Sequence, residues 1–375
     1  MAKILILCEY PVRNGGENSM LSTLATVRQA GLTVQVAAPP NGPLADELAS
    51  AGIDVVPFRT DRGEGGRSSQ DELRDRLREI IGQSDADLLH ANSLAMSRLS
   101  GPVVADCNLP SIGHLRDIMR VSHQAMADLN CHRRLLAVSE ATRQYHVAAG
   151  LDETKTDVLH NGVDLDRFRP GRRDGYLHRE LQVSAESLLV GAIGQVTLRK
   201  GVDLWLEAAR HTAQRFPAAH FVLVGERHSD KAEVLAIEAS LHLASSEGEL
   251  SGRLHWLKRR DDVARLLGEL DVLVHATRQE PLGRVLLEAA ASGIPIVATE
   301  VGGTREIFPT ASEAAILVPP DDAEALAEAT CGLLADRPRR QQLGNAARRR
   351  AEEAFDVERA ARCLVRHYQE VLSES

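Results

Sequence analysis

The segment from Asp271 to Ala298 constrains the fold more than any other part of the chain. Asp271-Val272-Leu273-Val274-His275 is a short apolar run, the pattern of a buried strand. Gly293-Ile294-Pro295-Ile296-Val297-Ala298 reads as a second. Between them Pro281 and Gly283 mark a turn, and Val285, Leu286, Leu287, Ala289 and Ala290 supply an apolar helical run. A strand–loop–helix–strand unit places the loop at the carboxyl end of a parallel strand, where open α/β sheets bind ligands. Glu280 sits in that loop, and Glu288 is expected about two turns into the helix. Two glutamates at this spacing could also be solvated groups on a surface helix. The flanking strands shift the balance toward a ligand with hydroxyls at both ends and phosphate in the middle, held by the helix-start N–H groups. A nucleotide-sugar has that layout.

The same alternation runs along the chain. Strands are expected at Lys3–Cys8, Leu32–Ala37, Ile53–Phe58, Leu88–His90, Val103–Ala105 and Leu135–Val138. Helices are expected at Glu17–Gln29, Leu44–Ala51 and Asp71–Ile81, with a mobile Gly-, Ser- and Arg-rich loop over Asp61–Ser69. After the connector Asn161-Gly162-Val163-Asp164 the pattern restarts, with strands at Leu188–Ile193, His220–Val224, Arg253–Leu257 and Val272–His275. Helices are expected there at Gly201–Phe216 and Val263–Leu270, and Val301-Gly302-Gly303-Thr304 reads as a glycine turn entering another. Alternating β and α predicts parallel sheets covered by helices on both faces. At 375 residues the chain exceeds what one core serves, so two α/β domains are expected, joined near residues 165–180. An amphipathic helix from about Phe355 to Leu372 closes the sequence.

Composition narrows the partners. A formal charge of −9 argues against a general nucleic-acid binder. The run Ile4–Leu7 is too short for a secretory core, and no stretch approaches a membrane span, so a cytoplasmic protein is expected, with docking on a membrane surface left open. The five cysteines show no CxxC pair, which points to neither disulfides nor zinc; Cys8 and Cys107 read as buried. Asp164-Leu165-Asp166 has the form of a metal-binding pair but falls in the connector, and no metal site is expected.

Four further constellations carry chemistry. Gly15-Gly16 follows the first strand, where glycines let backbone amides approach a ligand, though an ordinary tight turn would look the same. Gly194-Gln195-Val196-Thr197-Leu198-Arg199-Lys200-Gly201 follows the first strand of the second half. Its adjacent cations beside a helix start suit a diphosphate, or are simply a solvated basic turn. His114, in Ser111-Ile112-Gly113-His114-Leu115-Arg116-Asp117, is expected just after a strand, where it could hydrogen-bond a sugar hydroxyl, act as an acid–base group or be structural. Asp117 is expected to cap the next helix. Lys258-Arg259-Arg260-Asp261-Asp262 opens a helix with Asp261 or Asp262 as cap, and its backbone could read a base edge.

In this order, these motifs resemble those of the GT-B glycosyltransferases, and above all glycosyltransferase family 4, also called the glycosyl transferases group 1. The resemblance covers nearly the whole chain and is strongest from Leu188 to Pro320. It implies two Rossmann-like, doubly wound domains facing a central cleft: residues 1–168, completed by a helix over 356–375 that crosses back, on the acceptor side, and 169–355 on the donor side. It implies retaining transfer from a nucleotide-diphosphate sugar, with no metal or other cofactor required, to an acceptor the residues do not identify. The resemblance gives His114, Arg199, Lys200 and Glu280 catalytic roles. Glu280 would bind donor-sugar hydroxyls and Glu288 the ribose. Arg199 and Lys200 would clamp the diphosphate. Leu282, Gly283, Arg284 and Val285 would offer backbone amides, Arg259 would lie near the base, and Gly15 and Gly16 would approach from the other domain. Where many members have arginine this chain has the neutral Gln195, which leaves that charge to Arg199. A nucleotide-sugar epimerase, a sugar phosphorylase or a non-catalytic nucleotide-sugar-binding protein are the alternatives on the same scaffold.

Overall fold

The structure is a computed structural model describing residues 1–61, 66, 68–227 and 229–374. The chain divides into two compact units: Met1–Gly162 together with the chain from Val357 on, and Val163–Asp356. The change of unit falls at Gly162, upstream of the expected boundary at residue 168. Most of the expected loop Asp61–Ser69 lies outside the described residues.

The first unit is built on β1 (Lys3–Leu7), β2 (Thr33–Ala38), β3 (Asp54–Pro57), β4 (Leu88–Ala91), β5 (Ser111–Leu115), β6 (Arg134–Ala137) and β7 (Thr156–Val158). They lie in the order β3-β2-β1-β4-β5-β6-β7, every pairing parallel. β1 shows why this sheet needs helices on both faces. Ile4 and Ile6 enter one buried cluster and Leu5 and Leu7 another, as the period-2 geometry of a strand requires. The Ile4/Ile6 cluster is closed by Leu364, Val365, Tyr368 and Val371 of the last helix, Val357–Ser373. That helix therefore belongs to the first unit although it follows the second in sequence.

The second unit has β8 (Leu188–Ile193), β9 (Ala219–Val224), β10 (Leu254–Trp256), β11 (Val272–His275), β12 (Ile296–Thr299) and β13 (Ile316–Val318), in the parallel order β10-β9-β8-β11-β12-β13. Val190, Phe221, Leu223, Val272, Val274 and Val297 share its main core. In both units the chain winds outward from a central strand and then returns to its other side. The reversal lies between β1 and β4 in the first and between β8 and β11 in the second. Loops at the carboxyl ends of such neighbours diverge and leave a crevice.

Several expectations are corrected. Val103–Ala105 is not a strand; it lies in the helix Leu94–Asp106, capped where the Ser93 hydroxyl accepts from the Met96 N–H at 3.2 Å. Three apolar residues fit a buried helical face as well as a strand, and Gly101 lets that face approach Asp128, whose carbonyl would be 1.8 Å from a Cβ. Cys107 ends the same helix and is exposed. The helix expected over Glu17–Gln29 is two, Gly15–Leu21 and Leu24–Gln29, broken where the Thr23 hydroxyl and N–H both turn back to the Met20 carbonyl. The helix from Val263 stops at Leu267. Asp117 caps nothing: the following helix, His123–Asn130, is capped by Ser122. Asp262 precedes its helix without a side-chain cap bond, because its carboxylate is taken by Arg260 and the Tyr176 hydroxyl.

Candidate active site

At the reversal between β8 and β11 the two adjoining loops meet. The loop after β8 ends at Gly201, which adopts a left-handed φ of +63° to start the helix Val202–Arg215. A Cβ there would lie 1.9 Å from the Ala276 carbonyl, so only glycine lets this loop press against the end of β11. Arg278 ties the same loops together. Its guanidinium donates to the Leu198 carbonyl and to both carboxylate oxygens of Asp203, at 2.7, 2.8 and 2.9 Å, while its N–H donates to the Arg199 carbonyl at 2.9 Å.

This clamping delivers Lys200 to Glu280. The ammonium donates to Glu280 Oε2 at 2.5 Å, and His275 Nε2 donates to the same oxygen at 2.8 Å. Glu280 is only 5% exposed, whereas the Lys200 side chain keeps 19% of its surface in solvent. Burial pushes the Glu280 pKa up. The Lys200 charge and the His275 hydrogen bond outweigh it, and the carboxyl is held well below the usual carboxylate range. Burial lowers the His275 pKa, Glu280 works against that, and Lys200 and Arg199 add to the lowering. The cluster is therefore a carboxylate, an ammonium and a neutral imidazole. Lys200 and His275 share a pocket with Gln195, Gly194 and Trp205. Behind it, Gly302 has φ +50° and would place a Cβ 2.0 Å from the Glu280 carbonyl, which accepts the Gly303 N–H at 3.0 Å. The glycine turn after β12 thus fixes the Glu280 backbone.

The neighbouring residues are arranged differently from their sequence expectation. The helix begins at Arg284 after Gly283, so Glu288 lies about one turn in, not two. Its Oε1 accepts from Arg284 Nη2 at 2.9 Å. Leu282 is buried in the core, which leaves only its backbone for a ligand, and Val285 is half-buried. Arg199 is exposed and reaches the Gln279 carbonyl at 3.4 Å. Arg259 stands exposed beyond the edge strand β10, two strands from β8, while its neighbour Arg260 is engaged by Glu180 and Asp262. Asp164 Oδ1 accepts the N–H groups of Asp166 and Arg167 and serves the connector turn. Among the described residues no group of three or more His, Cys, Asp or Glu could hold a metal ion.

In the first unit, the reversal between β1 and β4 brings Gly16 beside Asn92, whose Nδ2 donates to the Gly16 carbonyl at 3.3 Å. Gly15 is exposed. A Cβ on Gly16 would meet Arg116 Cδ at 3.1 Å. Arg116 is spent internally: it donates to the Asn92 carbonyl, Asn92 Oδ1, Asn161 Oδ1 and His114 Nδ1, at 2.9, 2.9, 2.8 and 3.1 Å. His114 lies inside β5, not after it, and is 3% exposed. Burial, then the Arg116 charge, holds its pKa well below the ordinary histidine value, so the ring is neutral. Sequence reasoning missed His275, Arg278, Asn92, His90 and Tyr368. For His275 there was a signal: it is a polar residue ending an apolar strand five positions before Glu280.

Two parallel doubly wound units, each with polar groups gathered at its sheet reversal, define the class of two-domain α/β proteins that bind ligands at strand carboxyl ends. Residues 13–167 match the family described as Glycosyltransferase Family 4, and residues 187–336 the one described as Glycosyl transferases group 1. The lipopolysaccharide core biosynthesis mannosyltransferase LpsB of Rhizobium meliloti is 28% identical over 60% of this chain and 63% of its own. The phosphatidyl-myo-inositol mannosyltransferase of Mycobacterium tuberculosis is 28% identical over 98% of this chain and 97% of its own. The structure of Anabaena HepE in complex with UDP and glucose superposes with a TM-score of 0.86 at 22% identity, covering 98% of this chain and all of that one. The chain is a family 4-like glycosyltransferase of the GT-B fold.

Proposed function

We propose that the protein transfers a sugar from a nucleotide-diphosphate sugar, with retention at the anomeric carbon and without a required metal. The observation that carries this reading is the Lys200–Glu280–His275 cluster at the β8/β11 reversal. Glu280 is kept ionised by its neighbours and binds donor-sugar hydroxyls. Lys200 has three donors and uses one on Glu280, so two remain for a diphosphate. Exposed Arg199 adds a second cation where Gln195 supplies none. Glu288 holds the ribose, and Arg284 keeps its carboxylate in place. The amides at the head of the helix Arg284–Ala291 face phosphate, and His114 contacts the donor sugar. In the front-face route the bond from the anomeric carbon to the diphosphate oxygen breaks, the acceptor oxygen bonds to that carbon on the same face, and the leaving diphosphate takes the acceptor proton. Positioning and charge stabilisation do the work, with no protein nucleophile.

Relatives named as mannosyltransferases, one of them GDP-mannose-dependent, and a structural neighbour holding UDP-glucose make GDP-mannose and UDP-glucose the donors to try first. The test is a thermal-shift panel of UDP-, GDP-, ADP- and dTDP-sugars, followed by turnover of whichever stabilises the protein. Glu280→Ala and Lys200→Ala should each lower transfer by at least ~100-fold. No stabilisation by any nucleotide, or near-normal turnover in both variants, defeats the reading. A 2-epimer formed without acceptor would mark an epimerase, and dependence on free phosphate a phosphorylase. A donor bound but never consumed would mark a binding protein.

A further inference from the structure

Arginine has only donors. Where Arg116 Nη2 meets His114 Nδ1 at 3.1 Å, the ring nitrogen must therefore be the acceptor. His114 is neutral, so its single ring proton sits on Nε2. His90 Nε2 lies 3.3 Å from the same Nδ1, and because that atom holds a lone pair, His90 must donate. Burial, then Arg116 and His132, push the His90 pKa down to about 3, so this ring also carries one proton, on Nε2. Its Nδ1 is left as an acceptor, and the Tyr368 hydroxyl lies 2.6 Å from it. One arginine thus sets the direction of every hydrogen in the chain Tyr368 → His90 → His114. Arg116 is itself pinned by Asn92 and Asn161 and cannot turn away. Tyr368 is fully buried, and its ring meets His90 edge-on at 5.6 Å between centroids. At the far end, His114 Nε2 is buried and bonds no group among the described residues. All three side chains line one pocket of the first unit.

We propose that Tyr368, acting through His90, is a positioning residue for transfer: its hydroxyl holds the His90 ring with its Nε2–H on His114 Nδ1, and so steadies the His114 ring with its Nε2–H toward a sugar oxygen. This rests on the reading of His114 as a contact to the donor sugar. Without the hydroxyl, His90 Nδ1 is a buried acceptor with no donor. A proton moved to Nδ1 would find no acceptor there, so the tautomer stays; the ring instead loses the contact that fixes its orientation, and its Nε2–H is free to swing off His114 Nδ1.

The test uses the full chain and Tyr368→Phe. Two-bond 1H–15N correlation spectra, assigned with His114→Ala, should show His114 and His90 as pure Nε2–H tautomers from pH 6 to 8. In Tyr368→Phe both rings should stay Nε2–H, while the His90 Nδ1 resonance moves to that of an acceptor without a hydrogen bond; an unmoved resonance shows that the hydroxyl does not hold the ring. Release of nucleoside diphosphate from UDP-glucose or GDP-mannose, whichever stabilises the protein, should fall about tenfold in kcat with KM unchanged. In the His114→Ala background, Tyr368→Phe should change nothing further. A wild-type kcat for Tyr368→Phe beside an impaired His114→Ala overturns the positioning role and leaves the reading of His114 standing. An unimpaired His114→Ala overturns both. A proton on His114 Nδ1 in the wild-type spectrum refutes the relay even if the variant fails to fold.

Discussion

Replacing Lys200 with methionine isolates the electrostatics of the Lys200–Glu280–His275 cluster. The side chain keeps its apolar length and loses its charge, so Glu280, 5% exposed, is left with His275 alone. Breaking a buried pair by removing one partner costs roughly 3–5 kcal/mol. Lys200 retains 19% of its side-chain surface, which places the expected loss near the lower end, about 3 kcal/mol. Its pH dependence has a definite sign. Lys200 is among the charges that lower the His275 pKa, so the folded variant binds more proton at His275 than the folded parent does. The unfolded chains bind the same number at that ring. The variant is therefore relatively stabilised as pH falls, and the deficit should be largest at pH 8 and shrink by pH 6. Both tryptophans, Trp205 and Trp256, lie in the second unit, and Trp205 lines the Lys200 pocket, so their fluorescence follows this unit. With an m value of about 2 kcal/mol/M in urea, the midpoint should drop by about 1.5 M at pH 8. A loss under about 1 kcal/mol, or one equal at both pH values, would refute the reasoning.

Two further outcomes follow from the geometry. His90 and His132 are buried bases with pKa values pushed down to about 3 and about 4, chiefly by burial. A base depressed in the folded state contributes stability that is present above its unfolded value near 6.5 and is lost as pH falls toward the folded value. Each should cost about 2 kcal/mol between pH 7 and pH 5. Urea midpoints followed by circular dichroism should show this, with a smaller slope in His132→Gln; equal midpoints at pH 7 and 5 would contradict it. Gly302→Ala forces a left-handed φ on a residue whose Cβ meets the Glu280 carbonyl, which should cost roughly 1–3 kcal/mol and lower turnover more than tenfold by moving Glu280; an unchanged melting temperature and turnover would show that the loop yields freely.

How far the sequence could be read depended on what hides each residue. β8 and β11 were legible to the residue because Leu188–Val190 and Val272–Val274 are unbroken apolar runs. β5 was missed as a strand because Ser111, Gly113 and His114 break the apolar pattern. The structure makes each of them necessary: His132 Nδ1 lies 3.0 Å from the Ser111 hydroxyl, a Cβ on Gly113 would sit 2.7 Å from Leu135, and Arg116 satisfies His114. The family motif brought out Lys200 and Glu280, and the structure places them in contact. It said nothing of the side chains that hold them. Arg278 works through carbonyls of a loop about eighty positions away, and Tyr368 meets a histidine 278 positions earlier. Such pairings are set by strand order and helix docking, which no local spacing records.

The helix that carries Tyr368 leaves the ribosome only after the whole of the second unit has done so. Domains fold as units during synthesis, earlier ones first. Here the earlier unit cannot finish, because Leu364, Val365, Tyr368 and Val371 complete the core around Ile4 and Ile6. The second unit, one uninterrupted stretch from Val163 to Asp356, can close before the first is whole. The Tyr368 hydroxyl that bonds His90 therefore arrives only after Lys200 and Glu280 have been translated. A nascent chain would thus hold Lys200 and Glu280 before Tyr368 can meet His90, so the buried hydrogen-bond chain of the first unit is completed after the second unit has been made.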